Sequence, residues 1–282
     1  MVLILPMVVL AAAAGSRSGW CLVTGASSGI GAAFAREAAQ CGYDVVLTSR
    51  REGKLQQLAQ ELTCTYGVQT LVVPADITAD TGTRSLYERT AKLDVKVLIA
   101  NAGEAFSGEF ISQPTGSLER LLQLNVCATT RLCHHYAAKM AQTSSASKRY
   151  ILLTGSVTAC TLGLPGGALY AATKAMQRSL AAGLRTELRP CGVSVTCVLP
   201  GATDTEFAQQ AGMQKSLVFS MPFGRRLGVV LDPNIVARRG LAAAHAGKGE
   251  VVPGMLYKAF AVLAKVAPAP VARRVGAAFY SG

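Results

Sequence analysis

The stretch Trp20-Cys21-Leu22-Val23-Thr24-Gly25-Ala26-Ser27-Ser28-Gly29-Ile30-Gly31 decides how the chain is read. A short apolar run stops at a turn holding three glycines, and a helical pattern then runs from Ile30 to Gln40. Glycine turns tightly and lets the backbone approach a ligand, and the free N–H groups of a new helix attract an anion. Without that setting the turn would be only a turn. Between a strand and a helix it reads as a pyrophosphate cradle, with Gly25, Ser27, Ser28, Gly29, Ile30 and Gly31 as its contacts.

The same alternation continues outward. Strands are expected at Trp20 to Thr24, Asp44 to Ser49, Thr70 to Pro74, Val95 to Ala100, Tyr150 to Thr154, Ser194 to Leu199 and Glu250 to Pro253. Helices are expected at Ile30 to Gln40, Glu52 to Thr65, Gly82 to Lys92, Gly116 to Gln142, Ala168 to Arg189 and Asn234 to Ala246. This order predicts an α/β fold, a single doubly wound parallel sheet of about seven strands with helices on both faces, over residues 20–254. Half of the 282 residues are hydrophobic, enough for one sizeable core.

Two flanking segments read differently. Residues 1–19 form an apolar leader whose stretch Met1 to Gly15 carries no charge and ends in an Ala run; secretory signal, membrane-tethering leader and mis-chosen start all remain open. Residues 255–282 mix apolar residues with Lys258, Lys265, Arg273 and Arg274, a tail for a membrane surface, a second subunit or the substrate loop. The connection 203–232 carries Phe207, Met213, Leu217, Phe219, Met221 and Phe223 and reads as a lid over a hydrophobic substrate, with a self-packed surface loop as the alternative.

The eight cysteines form no C-x-x-C pair, which argues for reduced thiols, a cytoplasmic setting over secretion, and no metal. His134 and His135 are adjacent in a helix and cannot ligate together. The net charge of +12 fits phosphate-bearing ligands or an anionic membrane face. Nucleic acid is not expected, since no recognition motif accompanies the charge.

Two further patterns carry chemistry. The second strand ends Thr48-Ser49-Arg50-Arg51, with no acid to accept a ribose 2′-OH; cations there accommodate a 2′-phosphate, so Arg50 and Arg51 point to NADP(H). Their alternative role is to solvate a helix start. Tyr170 and Lys174 are four apart in a helix and share a face. An ammonium about 4 Å from the phenol, at an effective dielectric of about 20, contributes roughly 4 kcal/mol and would bring the phenol's proton exchange toward neutrality.

The T-G-x-x-x-G-x-G spacing at Thr24 to Gly31 resembles the signature of the short-chain dehydrogenase/reductase family, and residues from about Trp20 to Pro253 follow that family's motif order. The resemblance implies a Rossmann-type fold and further cofactor contacts. These are Asp76 and Ile77 at the adenine, Asn101, Ala102 and Gly103 after the fourth strand, and Pro200, Gly201, Thr203 and Thr205 near the nicotinamide. It also implies a tetrad. Ser156 would bond the substrate oxygen, Tyr170 would transfer the proton, Lys174 would grip the ribose and depress the tyrosine, and Asn125 would hold a water leading from Lys174 to solvent. As merely structural residues, Ser156 would cap a strand end and Asn125 would bond locally within its helix.

The expectation is therefore an NADP(H)-dependent carbonyl reductase or alcohol dehydrogenase. Its substrate would be a hydrophobic small molecule such as a 3-ketoacyl thioester, steroid, retinoid or aryl ketone. By resemblance it would be a homo-dimer or homo-tetramer, with peripheral membrane contact through the leader or the tail left open. The alternative is a catalytically silent NADP-binding scaffold or redox sensor, because fold alone does not establish activity.

Overall fold

The computed structural model describes residues 19–143, 147–161, 163–212 and 228–266. Seven strands form one sheet: β1 (Trp20–Thr24), β2 (Asp44–Ser49), β3 (Thr70–Pro74), β4 (Val95–Ala100), β5 (Arg149–Thr154), β6 (Val193–Val198) and β7 (Glu250–Val251). Their order is β3-β2-β1-β4-β5-β6-β7, and every neighbouring pair is parallel. A parallel sheet covered on both faces needs near-continuous apolar strands, and all six residues of β5 are buried. β7 stops at Val251, short of the expected Pro253, whose missing N–H cannot serve a ladder.

The helices are α1 (Gly29–Gln40), α2 (Glu52–Tyr66), α3 (Asp80–Thr90), α4 (Thr115–Leu122), α5 (Thr129–Gln142), α6 (Ala168–Leu188), α7 (Glu206–Gln210), α8 (Pro233–His245) and α9 (Met255–Val266). α1 packs against α2 and α8 on one face, while α5 packs against α6 on the other, where Arg131 of α5 pairs with Asp80 of α3. The α1–α8 contact is close because a Cβ on Gly240 would lie 2.9 Å from the ring of Phe34. Phe34 is fully buried there, and burying such a ring contributes roughly 1.5–3 kcal/mol.

The chain winds outward from β1 to β3, then returns to lay β4 on the other side of β1. This reversal opens a crevice at the carboxyl ends of β1 and β4, the place where such sheets bind ligands. Gly116 to Gln142, expected as one helix, is instead interrupted. α4 passes into a π-helical turn at Gln123–Ala128 before α5 begins, and an unbroken apolar period cannot reveal such a turn.

Two expectations lie partly outside the described residues. Of the 203–232 connection, α7 is described and a bridge joins Thr203 to Leu231, but Met213, Leu217, Phe219, Met221 and Phe223 lie outside. Residues 1–18 and 267–282 also lie outside, whereas the first part of the tail is α9.

Candidate active site

The glycine turn has the shape its sequence requires. Gly25 and Gly29 have φ of +66° and +54°, which side-chain-bearing residues seldom adopt. A Cβ on Gly31 would lie 2.2 Å from the Gly25 carbonyl oxygen and 2.6 Å from Asn101 Nδ2, so no larger residue fits. Across the crevice, Thr24 Oγ1 accepts from the backbone N–H groups of Asn101 and Ala102, both at 3.0 Å, and Asn101 Nδ2 donates to the Thr24 carbonyl at 3.0 Å. Asn101 thus ties β4 to β1 and fixes the width of the cradle.

The two arginines differ. Arg50 is exposed at the rim of the cavity and makes no hydrogen bond or ion pair among the described residues. Arg51 instead turns inward: Nε and Nη2 donate to Ser27 Oγ at 3.0 and 2.9 Å, Nη2 to Ser28 Oγ at 2.6 Å, and Nη1 to Glu206 at 2.6 Å. Lys54 Nζ holds the other Glu206 oxygen at 2.7 Å. The bonds from Lys54 and Arg51 draw the Glu206 carboxyl down to about 2. Asp76 Oδ1 accepts from Thr78 N at 3.0 Å and Thr78 Oγ1 at 2.7 Å. Burial opposes ionisation of Asp76, but the Thr78 bonds and the charges of Arg50 and Arg120 leave its pKa lowered.

Deeper in the crevice, Ser156 lies two residues past β5, and Tyr170 and Lys174 stand on α6. All three are buried and line one cavity of about 330 Å³ with the glycine turn, Ile77, Gly103, Pro200, Gly201, Thr203 and Thr205. Tyr170 is hydrogen-bonded to Ser156. Lys174 Nζ donates to the Thr154 carbonyl at 2.7 Å and to Gln177 Oε1 at 3.0 Å. Asn125 sits in the π turn, fully buried; its amide donates to the Glu104 carbonyl at 2.9 Å and to Thr173 Oγ1 at 3.1 Å, and Oδ1 accepts from Glu104 N at 3.0 Å.

One electrostatic expectation is corrected. Burial pushes the Tyr170 phenol up to about 12, with the Ser156 bond pulling the other way, and Lys174 does not depress it. The ammonium lies 5.8 Å from the ring centroid and is engaged by Thr154 and Gln177. Desolvation also brings Lys174 down to about 8, against a smaller opposing pull from Cys197. With the chain's own groups alone, the phenol keeps its proton at neutral pH.

Five contributors went unread in the sequence: Gln177, Lys54, Glu206, the backbone of Glu104, and Tyr257 of α9. A Cβ on Gly201 would lie 2.2 Å from the Tyr257 ring, whose hydroxyl accepts from Ala202 N at 3.0 Å. Only Gln177 left a signal, three residues after Lys174 on the same helical face. The others lie far from their partners in sequence. His135, read as an ordinary helix residue, stacks on Tyr87 with ring centroids 3.7 Å apart, away from the site.

A parallel sheet with a glycine cradle at its switch point and a Ser-Tyr-Lys group beside it defines a nucleotide-binding oxidoreductase fold. Residues 19–216 match the family model described as short chain dehydrogenase, and the chain belongs to that family. It is 34% identical over 203 residues to a very-long-chain 3-oxoacyl-CoA reductase of Scheffersomyces stipitis. That match takes in 70% of this chain but 59% of the yeast protein, so the chain spans less than two thirds of that relative. Among solved structures it is similar to a short-chain dehydrogenase from Sphingobium yanoikuyae in complex with NADPH. The identity is 33% and the TM-score 0.75, covering 83% of this chain and 87% of that one. The bulky-bulky ketone specific alcohol dehydrogenase from Comamonas testosteroni is 32% identical with TM-score 0.72, covering 84% and 87%.

Proposed function

We propose that the chain is an NADP(H)-dependent reductase that converts a carbonyl on a hydrophobic substrate to an alcohol. The observation that carries this reading is the convergence of Ser156, Tyr170 and Lys174 beside the glycine cradle in one cavity. The residues present fit the cofactor: the cradle admits no Cβ at Gly31, and Arg50 and Arg51 directly follow β2 in place of the acid that would favour NAD, with Lys54 of α2 nearby and Glu206 held between Arg51 and Lys54. The NADPH-bound relative points the same way.

When bound, the cofactor supplies the hydride. The chain's own residues handle the charge that then develops on the carbonyl oxygen. The Ser156 hydroxyl donates to that oxygen, and the Tyr170 phenol, protonated at neutral pH, transfers its proton to it. A protonated phenol serves reduction. Lys174 has two of its N–H groups held by Thr154 and Gln177 and would use the third to hold the nicotinamide ribose.

Leu164, Phe207, Tyr257 and Phe260 give the substrate end of the cavity an apolar lining, which suits an acyl chain, steroid, retinoid or aryl ketone. The reductase and ketone-specific relatives support that class. The exposed Phe110, Ile111 and Leu122 beside α4 support a homo-oligomer. On α9, the exposed Met255, Leu256, Val262 and Leu263 support peripheral contact with a membrane. No described helix is long and apolar enough to cross one. Cys21, Cys41, Cys64, Cys127, Cys133, Cys191 and Cys197 carry free thiols, which fits a reducing compartment.

The test is an NADPH-oxidation screen over long-chain 3-ketoacyl thioesters, ketosteroids, retinal and aryl ketones. Turnover is expected with at least one class and only weakly with NADH. Inactivity on every class would overturn the reading.

A further inference from the structure

Tyr170, Lys174 and Gln177 occupy positions i, i+4 and i+7 of α6 and emerge on one side of it. Gln177 is 1% exposed, and a buried amide must find partners for both ends. It finds them on two elements. Oε1 accepts from Lys174 Nζ at 3.0 Å, while Nε2 donates to the Asn125 carbonyl in the π turn at 2.7 Å and to Thr129 Oγ1 at 3.3 Å. The family resemblance places a water between Asn125 and this lysine; here a side chain fills that span with two hydrogen bonds.

We propose that Gln177 is a positioning residue for Lys174, a direct protein bridge from the Asn125 carbonyl that holds the ammonium in place in the crevice. The inference rests on the reductase reading of the site. Lys174 has three N–H groups; the Thr154 carbonyl takes one and Gln177 takes another, which leaves one for the crevice. The titratable groups facing Lys174 are Tyr170 on its own helix and Cys197 on β6, and burial holds both at about 12, so both are neutral at working pH. From β5 it meets the Thr154 carbonyl, and Asn125 in the π turn is uncharged. No carboxylate pairs with it among the described residues, so two dipolar acceptors offset its desolvation. Losing one of them destabilises the charged form.

The bridge also separates two roles that a water would combine. An amide holds the lysine but does not exchange protons readily, so Gln177 keeps the ammonium in register without relaying its proton. Gln177 therefore acts through Lys174 and touches no substrate.

The test measures Lys174 itself. The full chain with ¹³Cε-labelled lysine is titrated by NMR as wild type, Gln177→Leu and Gln177→Glu, with Lys174→Met assigning the signal. A hydrogen bond to a charged group is worth enough to displace the Lys174 midpoint by about one pH unit. The midpoint is expected to fall by that amount in Gln177→Leu and to rise in the isosteric Gln177→Glu, which serves alone if the leucine variant fails to fold. The alkaline limb of kcat for NADPH-dependent ketone reduction should move in the same two directions, with KM for NADPH within about threefold. A Lys174 midpoint unmoved in either folded variant, or one that moves while the kcat profile stays, would overturn the assignment. A wild type that reduces no ketone sinks the reductase reading instead, and the NMR midpoints still decide the Gln177 bridge.

Discussion

Glu206→Gln should tighten NADPH binding about fivefold and leave NADH unchanged. Glu206 reaches from α7 to hold Arg51 at 2.6 Å and Lys54 at 2.7 Å, next to the strand end where a 2′-phosphate belongs. Three more of Arg51's five N–H groups go to Ser27 and Ser28, so a phosphate reaching this guanidinium lies beside the carboxylate. The three side chains are 38–45% exposed, and screening limits each ion pair to at most about 0.5–1 kcal/mol. A like charge roughly 7 Å from the phosphate adds about 0.6 kcal/mol of repulsion per unit charge in water. Removing the charge from Glu206 therefore gains about 1 kcal/mol, or about fivefold in Kd.

The sign of the pH dependence follows from the lowered carboxyl. Because Glu206 titrates at about 2 in the fold and near 4.5 without its partners, its pairs stabilise the protein above pH ~4.5 and are lost as pH falls toward 2. Between about pH 7 and 9 the carboxylate and the 2′-phosphate both keep their charge, so the gain in the glutamine variant should be constant there. Fluorescence titration with NADPH and NADH, at low and at 0.5 M salt, measures it; salt should shrink the difference. Unchanged or weaker NADPH binding, or an equal change for NADH, would refute the competition between carboxylate and phosphate.

Gly31→Ala forces a Cβ to within 2.2 Å of the Gly25 carbonyl; melting should show a loss of about 1–3 kcal/mol and titration an NADPH affinity down at least tenfold, and wild-type values in both would contradict the cradle geometry. Tyr170→Phe should cost about 10²-fold or more in kcat with NADPH affinity near wild type, and retained turnover would remove the phenol from the proton transfer. Asn125→Ala leaves the part-buried N–H and carbonyl of Glu104 without these partners, so urea denaturation should show about 1–2 kcal/mol less stability; an unmoved midpoint would mean that the π turn does not depend on this side chain.

The sheet was legible because its signals are local. Apolar runs such as Val45 to Leu47 and Val97 to Ile99 must be strands once both faces are covered, and Gly25 and Gly29 announce the turn through conformations only glycine adopts freely. Tyr170 and Lys174 were legible through helical spacing. The π turn was not, because Leu121 to Ala128 keeps an apolar pattern whichever carbonyls its N–H groups choose. Nor was the Arg51–Glu206 pair, whose members lie 155 residues apart and meet only because β6 delivers its loop beside β2's end across the crevice. The tyrosine's raised pKa also escaped the sequence. Spacing fixes which residues share a face, whereas desolvation depends on everything packed around them.

The central claim is a hydride transfer completed by a proton from Tyr170, and isotope tracing tests it most directly. NADPH carrying deuterium at C4, on each face in turn, is incubated with the best ketone from the screen, and the alcohol is analysed by mass spectrometry. One deuterium is expected on the carbinol carbon per NADPH consumed, from one face only, with its rate of appearance falling about 10²-fold in Tyr170→Phe. Alcohol without deuterium from either face, or an undiminished rate in the phenylalanine variant, would contradict the claim.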